Sequence, residues 1–439
     1  MRIIVSIFFF TLVASAGQIA ITVYSDGFAL VKEVREISVE KGINDYDYSP
    51  VPSGIKPQTV SLDGEGVTVL EQNYEYDLVS TEKMLEKHID NRVRLVTENG
   101  EVFEGDLLSA TGSSVLLNTG DGLTAILMEQ IVNVVFPKKP DRFYTRPTLA
   151  WIIHSSNSGK RDIELSYITN GVVWQAAYIA RVNKDDTRLT LDGWVTINNT
   201  SGMTYADATL KLVAGEVHRA EEHRYLDRAK GAGMVMAESA PASFEEEAFF
   251  EYHLYTLPRP ATIADRQEKQ LSLFEPAETD AVKNFVFEPS KGSDVRVEME
   301  FMNSEEKGLG MPLPEGIIRV YKEDKSGALQ FIGEDRIEHT PKDEELRIYL
   351  GNAFDVVAER VQTDNRRISN RIYERDFEIK IRNHKEESIE VKVMEHFWGD
   401  WFIKAESIKG NKKDSSTYEW TVPVPSDGET ILTFTVRNK

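Results

Sequence analysis

The chain has 439 residues, no cysteine, and 51 Lys and Arg against 72 Asp and Glu, a formal net charge of −21. That length predicts two to four domains, each able to bury a core. The missing cysteine excludes disulfides, thiolate metal ligands, a Cys nucleophile and a lipid anchor on an N-terminal Cys. The acidic balance repels phosphate backbones and anionic headgroups, which argues against a nucleic-acid partner.

Met1-Arg2 is a short basic start, Ile3 to Val13 an apolar run, and Ala14-Ser15-Ala16 a small-residue cleavage site. Together they read as a signal peptide over residues 1–16, cleaved after Ala16. The apolar run falls short of the roughly 20 residues a spanning helix needs. The chain is therefore expected to be exported, to the periplasm or the outside. No second segment is long and apolar enough for a transmembrane anchor.

Residues 17–80 read as an N-terminal β segment. At Ser80 or Thr81 a helix is expected to start: either residue can cap it, Glu82 sits in its first turn, and Met84, Leu85, His88 and Ile89 share a face. Short strands follow, broken by Glu98-Asn99-Gly100 and Gly120-Asp121-Gly122, with Gly105 as a bend. A helix and five bent strands over 81–140 predict a small barrel. Residues 81–137 resemble the Sm-like fold, whose members often bind RNA. Ser113 and Ser114 stand where that fold's nucleotide-binding Asn is expected, and the segment is not basic. A spacer or protein-docking role is expected of it.

From 141 to 439 a period of two dominates. Val295, Val297, Met299 and Phe301 alternate with charged residues, as do Phe377, Ile379 and Ile381, then Ile389, Val391 and Val393, then Leu432, Phe434 and Val436. This predicts strands with one buried face, arranged as one or two antiparallel, immunoglobulin-like β-sandwich modules. The fold class is all-β. Residues 219–250 mix charge with Gly, Ala and Ser and predict a mobile loop. It reads as an interdomain linker or as a binding loop using Phe244, Phe249, Phe250 and Tyr252.

No G-x-S-x-G elbow, H-E-x-x-H, P-loop or dinucleotide fingerprint occurs, and three S-x-x-K strings lack their companion motifs. His218 and His223 lie near Glu216, Glu221 and Glu222, a set that reads as solvated surface rather than a zinc site. No cofactor, metal or catalytic residue is assigned. The aromatic turn Phe397-Trp398-Gly399-Asp400-Trp401 is the best binding candidate. Two Trp on a tight turn suit stacking on sugars or on a partner's side chains; the competing role is a plug for the sandwich end.

One string is more specific than any of these. It runs Tyr167-Ile168-Thr169-Asn170-Gly171-Val172-Val173-Trp174, then Gly193-Trp194, Asn198-Asn199, Ser201-Gly202, Tyr205 and Leu210 to Val217. Together with Val23 to Val31, Gly308 to Gly316, His339-Thr340-Pro341 and Trp420 to Pro425, it resembles the domain of unknown function found in mucoidy-inhibitor-type proteins and in many exported bacterial proteins. That branch usually carries a coiled-coil insertion, whose place is taken here by the small barrel. The resemblance implies an exported β-sandwich protein of the cell envelope and carries over no enzymatic activity to residues here. The expected function is non-enzymatic binding of an envelope protein or glycan. The alternatives are a hydrolase or lyase acting on envelope polysaccharide, and a structural spacer. Oligomeric state is not legible.

Overall fold

A computed structural model describes residues 18–76, 80–138, 144–215, 217–218 and 244–438. The proposed signal peptide, His223 and most of the 219–250 loop lie outside the described residues. The all-β expectation holds: among the described residues 66% are strand, and the one α-helix there is Thr81–Glu86. The chain divides into two compact units. One holds the residues up to Val173 with Asn198–Leu212 and Arg259–Gln267; the other holds Trp174–Ile197, Val213–Pro258 and Glu268–Lys439.

In the first unit, Phe28–Val39 lies between Ile19–Tyr24 and Gly159–Asn170, antiparallel to both. Alternation places Val31, Ile37 and Val39 on the inner face, against Ile163, Leu165 and Tyr167 of the neighbouring strand. A second sheet pairs Thr148–Ser155 with Gly42–Tyr48 and Val67–Glu75. Its centre is the buried Trp151, whose indole N–H donates to Gln72 Oε1 at 2.8 Å.

The small strands form as expected; the helix starts as expected but ends at Glu86, so His88 and Ile89, expected on its apolar face, lie in the turn that follows. Ser80 is the cap, its hydroxyl accepting from the Lys83 N–H at 3.2 Å. Leu85 joins Val93, Leu95, Leu107, Val115, Leu117 and Ile126 in a small core. Gly105 lies close against the next strand, where a Cβ would lie 2.5 Å from the Asn118 carbonyl oxygen, and the ladder to that strand shifts register between Leu107 and Ser109. The sheet runs Ile131–Val135, Arg92–Thr97, Val102–Thr111, Ser114–Thr119, Gly122–Leu127, and its two end strands are not paired with each other. The expected small barrel is thus an open, bent five-stranded sheet.

The second unit builds its main core between two layers. Phe377, Ile379, Ile381, Leu432, Phe434 and Val436 come from the antiparallel pair Tyr373–Asn383 and Gly428–Asn438. Val391, Val393, Trp420 and Val422 come from the pair Ile389–His396 and Thr417–Val424. Trp420 stacks on Phe434 between them, with centroids 4.6 Å apart. The layers belong to one hydrogen-bonded sheet that folds over on itself. The arrangement is not purely antiparallel. Val172–Val182 pairs in parallel with Gly316–Glu323, and Phe285–Phe287 in parallel with Val391–Val393. Parallel partners need long crossovers, and more than a hundred residues separate each of these pairs.

Candidate functional site

The aromatic turn follows from strand phase. Ile389, Val391 and Val393 point inward, so Glu395 and Phe397 continue on the same face and are buried. Gly399 turns the chain with φ +77. Trp401 then opens the strand Trp401–Glu406 beside Gly428–Asn438. The rings of Phe397 and Trp401 lie 4.9 Å apart inside the core. The Trp401 indole N–H donates to the Ser415 carbonyl at 2.9 Å, and the Phe397 N–H to the Ser416 carbonyl at 2.8 Å. Lys412 sits 4.4 Å over the Trp401 ring. Trp398, between these two anchors, is 84% exposed. The turn is therefore both plug and display: two aromatics lock it and the third faces solvent.

The loop aromatics divide the same way. Phe244 is buried, its N–H donating to the Leu273 carbonyl. Phe249 and Phe250 are exposed at the tip of the hairpin Glu245–Phe249 and Tyr252–Thr256, with Phe250 at φ +58.

Beside the Trp398 turn lies a hairpin that sequence reasoning missed. Glu345–Arg367 pairs with Tyr373–Asn383, and from Glu359 to Asn365 every residue of the first strand is exposed. Asp294–Met302, its other neighbour, pairs no further than Val357. This end of the hairpin carries Arg366, Arg367, Arg371 and Arg375. The available signal was four arginines within eleven residues of an acidic chain.

Groups with catalytic potential are engaged elsewhere. The His396 Nε2–H donates to Glu288 Oε1 at 3.0 Å, and its Nδ1 hydrogen-bonds Thr417 Oγ1 at 3.1 Å, a carboxylate–imidazole–hydroxyl chain. Thr417 is only 4% exposed, which closes it to substrate. Glu300 and Glu345 have unlike settings. Burial, with Glu345 beside it, pushes the Glu300 carboxyl up; hydrogen bonding from Glu300 and the Arg347 guanidinium hold Glu345 down against its own burial. His339 Nδ1 accepts the Glu315 N–H at 3.1 Å. Among the described residues no group of three or more His, Asp or Glu is placed to hold a metal ion.

The specific string is spent on architecture. Trp174 donates to the Val213 carbonyl at 3.1 Å and Tyr178 to the Pro314 carbonyl at 2.7 Å, while Asn199 and Ser201 tie a turn. Residues 163–439 match the domain of unknown function DUF4139. The chain belongs to that family. No curated protein matches it. The DUF4139 region contains the whole second core, the Trp398 turn and the arginine hairpin.

Proposed function

We propose that this DUF4139 protein is exported and works as a non-enzymatic binding protein of the cell envelope. The observation that carries the reading is Trp398, a fully presented indole on a turn whose two flanking aromatics are fixed in the core. A rigid exposed aromatic loses little entropy when it docks, which is what a binding anchor needs. The basic start, apolar run and small-residue site over residues 1–16 support export, and the resemblance to mucoidy-inhibitor-type proteins points to the envelope.

Crosslinking of the exported protein in cells, followed by mass spectrometry, tests the reading. A reproducible partner set that shrinks on Trp398→Ala is the expected outcome. An unchanged set would reject the aromatic turn as the anchor. N-terminal sequencing of the secreted form is expected to begin at Gly17.

A second reading, cleavage of envelope polysaccharide, draws on two neighbouring carboxyls in unlike settings: Glu300, ion-paired with Lys392 and Arg347, and Glu345, ion-paired with Arg347. Glycan breakdown abolished by Glu300→Gln is what that reading requires.

A further inference from the structure

The Trp398 turn is tied to the arginine hairpin through one side chain. Asn438 accepts from Arg375 Nη2 at 2.8 Å and donates to the Trp398 carbonyl at 3.2 Å. Tyr373 stands opposite Asn438 across the sheet, and Arg367 opposite Tyr373, its guanidinium 6.0 Å from the ring centre. Arg371 lies in the loop between these strands, exposed. Residues 365–375 hold four Arg and one Glu, in a chain of net charge −21.

The cations here are not equivalent. Arg366 is consumed by Asp364 and Asp376, and Glu374 is taken up by Lys404 and Arg437. Among the described residues no carboxylate forms an ion pair with Arg367, Arg371 or Arg375. Arg367 donates to the Ser369 carbonyl and to Asn370 Oδ1, and Arg375 senses the buried Glu395, which is itself bonded to Arg360 at 2.5 Å. Arg367, Arg371 and Arg375 thus have no ion-pair carboxylate of their own, on a hairpin end that Asn438 ties to the turn carrying the exposed Trp398. Asp400 is the carboxylate of the turn itself.

We propose that the Trp398 turn and the Arg367–Arg375 hairpin end form one surface for an acidic polysaccharide. This rests on the reading of Trp398 as a binding anchor and adds the class of its ligand. A polymer that offers a flat ring and a carboxylate in every unit meets both features at once. The indole stacks on a sugar face, and the planar guanidinium forks pair with carboxylates in a way lysine does not match. An acidic peptide satisfies the charges and leaves the indole without a ring to cover.

Affinity electrophoresis of the full mature protein, with polygalacturonate in the gel and dextran as the neutral control, decides the matter. Polygalacturonate is expected to retard the protein, less so as salt rises, while dextran does not. Trp398→Ala and Arg371→Gln, both at exposed positions, are each expected to weaken retardation at least tenfold with an unchanged unfolding midpoint. Absence of retardation, or retardation indifferent to both substitutions, overturns the inference. Equal retardation by dextran overturns the acidic class and leaves stacking. A protein crosslinked through Trp398 with no polysaccharide retardation overturns the ligand class while the binding reading stands.

Discussion

Three buried asparagines, each just past or at the end of a strand, perform the same task. Asn199 donates to the carbonyls of Met203 and Ile263 and accepts the Ser201 N–H. Asn303 donates to Met311 and Pro341 and accepts the Gly310 N–H. Asn383 donates to Glu387 and Pro425 and accepts the Lys385 N–H. All three are fully buried. A primary amide suits the position because it carries two donors and an acceptor on one planar group. Asn383→Ala orphans two carbonyls and one N–H and is expected to cost about 2–4 kcal/mol by chemical denaturation. Asn383→Asp, which turns the donor into an acceptor facing two carbonyls, is expected to cost no less. Tyrosines give a paired test. Tyr178 spends its hydroxyl on Pro314, so Tyr178→Phe is expected to destabilise by about 1–3 kcal/mol. The buried hydroxyl of Tyr167 has no hydrogen-bond partner, so Tyr167→Phe is expected to be neutral or stabilising in the same assay. Of the asparagines, only Asn199 stood out in the sequence, as part of the Asn198-Asn199 pair in the specific string. The other two were illegible because only a geometry recurs, around one residue, in unrelated strings.

At the scale of elements, the loop that grips the aromatic turn has its own anchor. Asp414 Oδ1 accepts the N–H groups of Ser416 and Thr417 and the Ser416 hydroxyl. These bonds, the Ser416 N–H foremost, pull the Asp414 carboxyl from its ordinary 3.8 down to about 2. A depressed carboxylate stabilises above its unfolded value and loses that contribution as pH falls through the folded one. The loop is therefore expected to hold at pH 5 and to loosen between about 3.8 and about 2. Its Ser415 and Ser416 carbonyls hold Trp401 and Phe397, so NMR signals of those rings are expected to move in that window, and Asp414→Ala to move them already at neutral pH. Strands whose inner face is apolar were legible from alternation, and so was the capped helix. The solvent-exposed stretch of Glu345–Arg367 was not, because an element wet on both faces has no hydrophobic period to read. The open edge of the small sheet was also hidden: the turn glycines mark where strands reverse, but closure depends on whether the first and last strands of the sheet meet.

At the scale of the whole molecule, the chain passes repeatedly between its two units, and parallel pairings such as Ala176 with Gly316 join distant segments. Such pairings depend on loop closures that local propensity does not encode. By itself the sequence determined the all-β class, the start of a capped helix at Ser80 or Thr81, and the strand phases that put Val391, Val393, Leu432 and Phe434 in the core, because backbone propensity and a period of two are local properties. Only the tertiary structure decided that Phe397 and Trp401 turn inward while Trp398 faces out, and that Asn438 brings Arg375 to the Trp398 turn. Which face of a turn is covered is set by strands that arrive from elsewhere in the chain, and burial, unlike periodicity, belongs to the partners as much as to the residue.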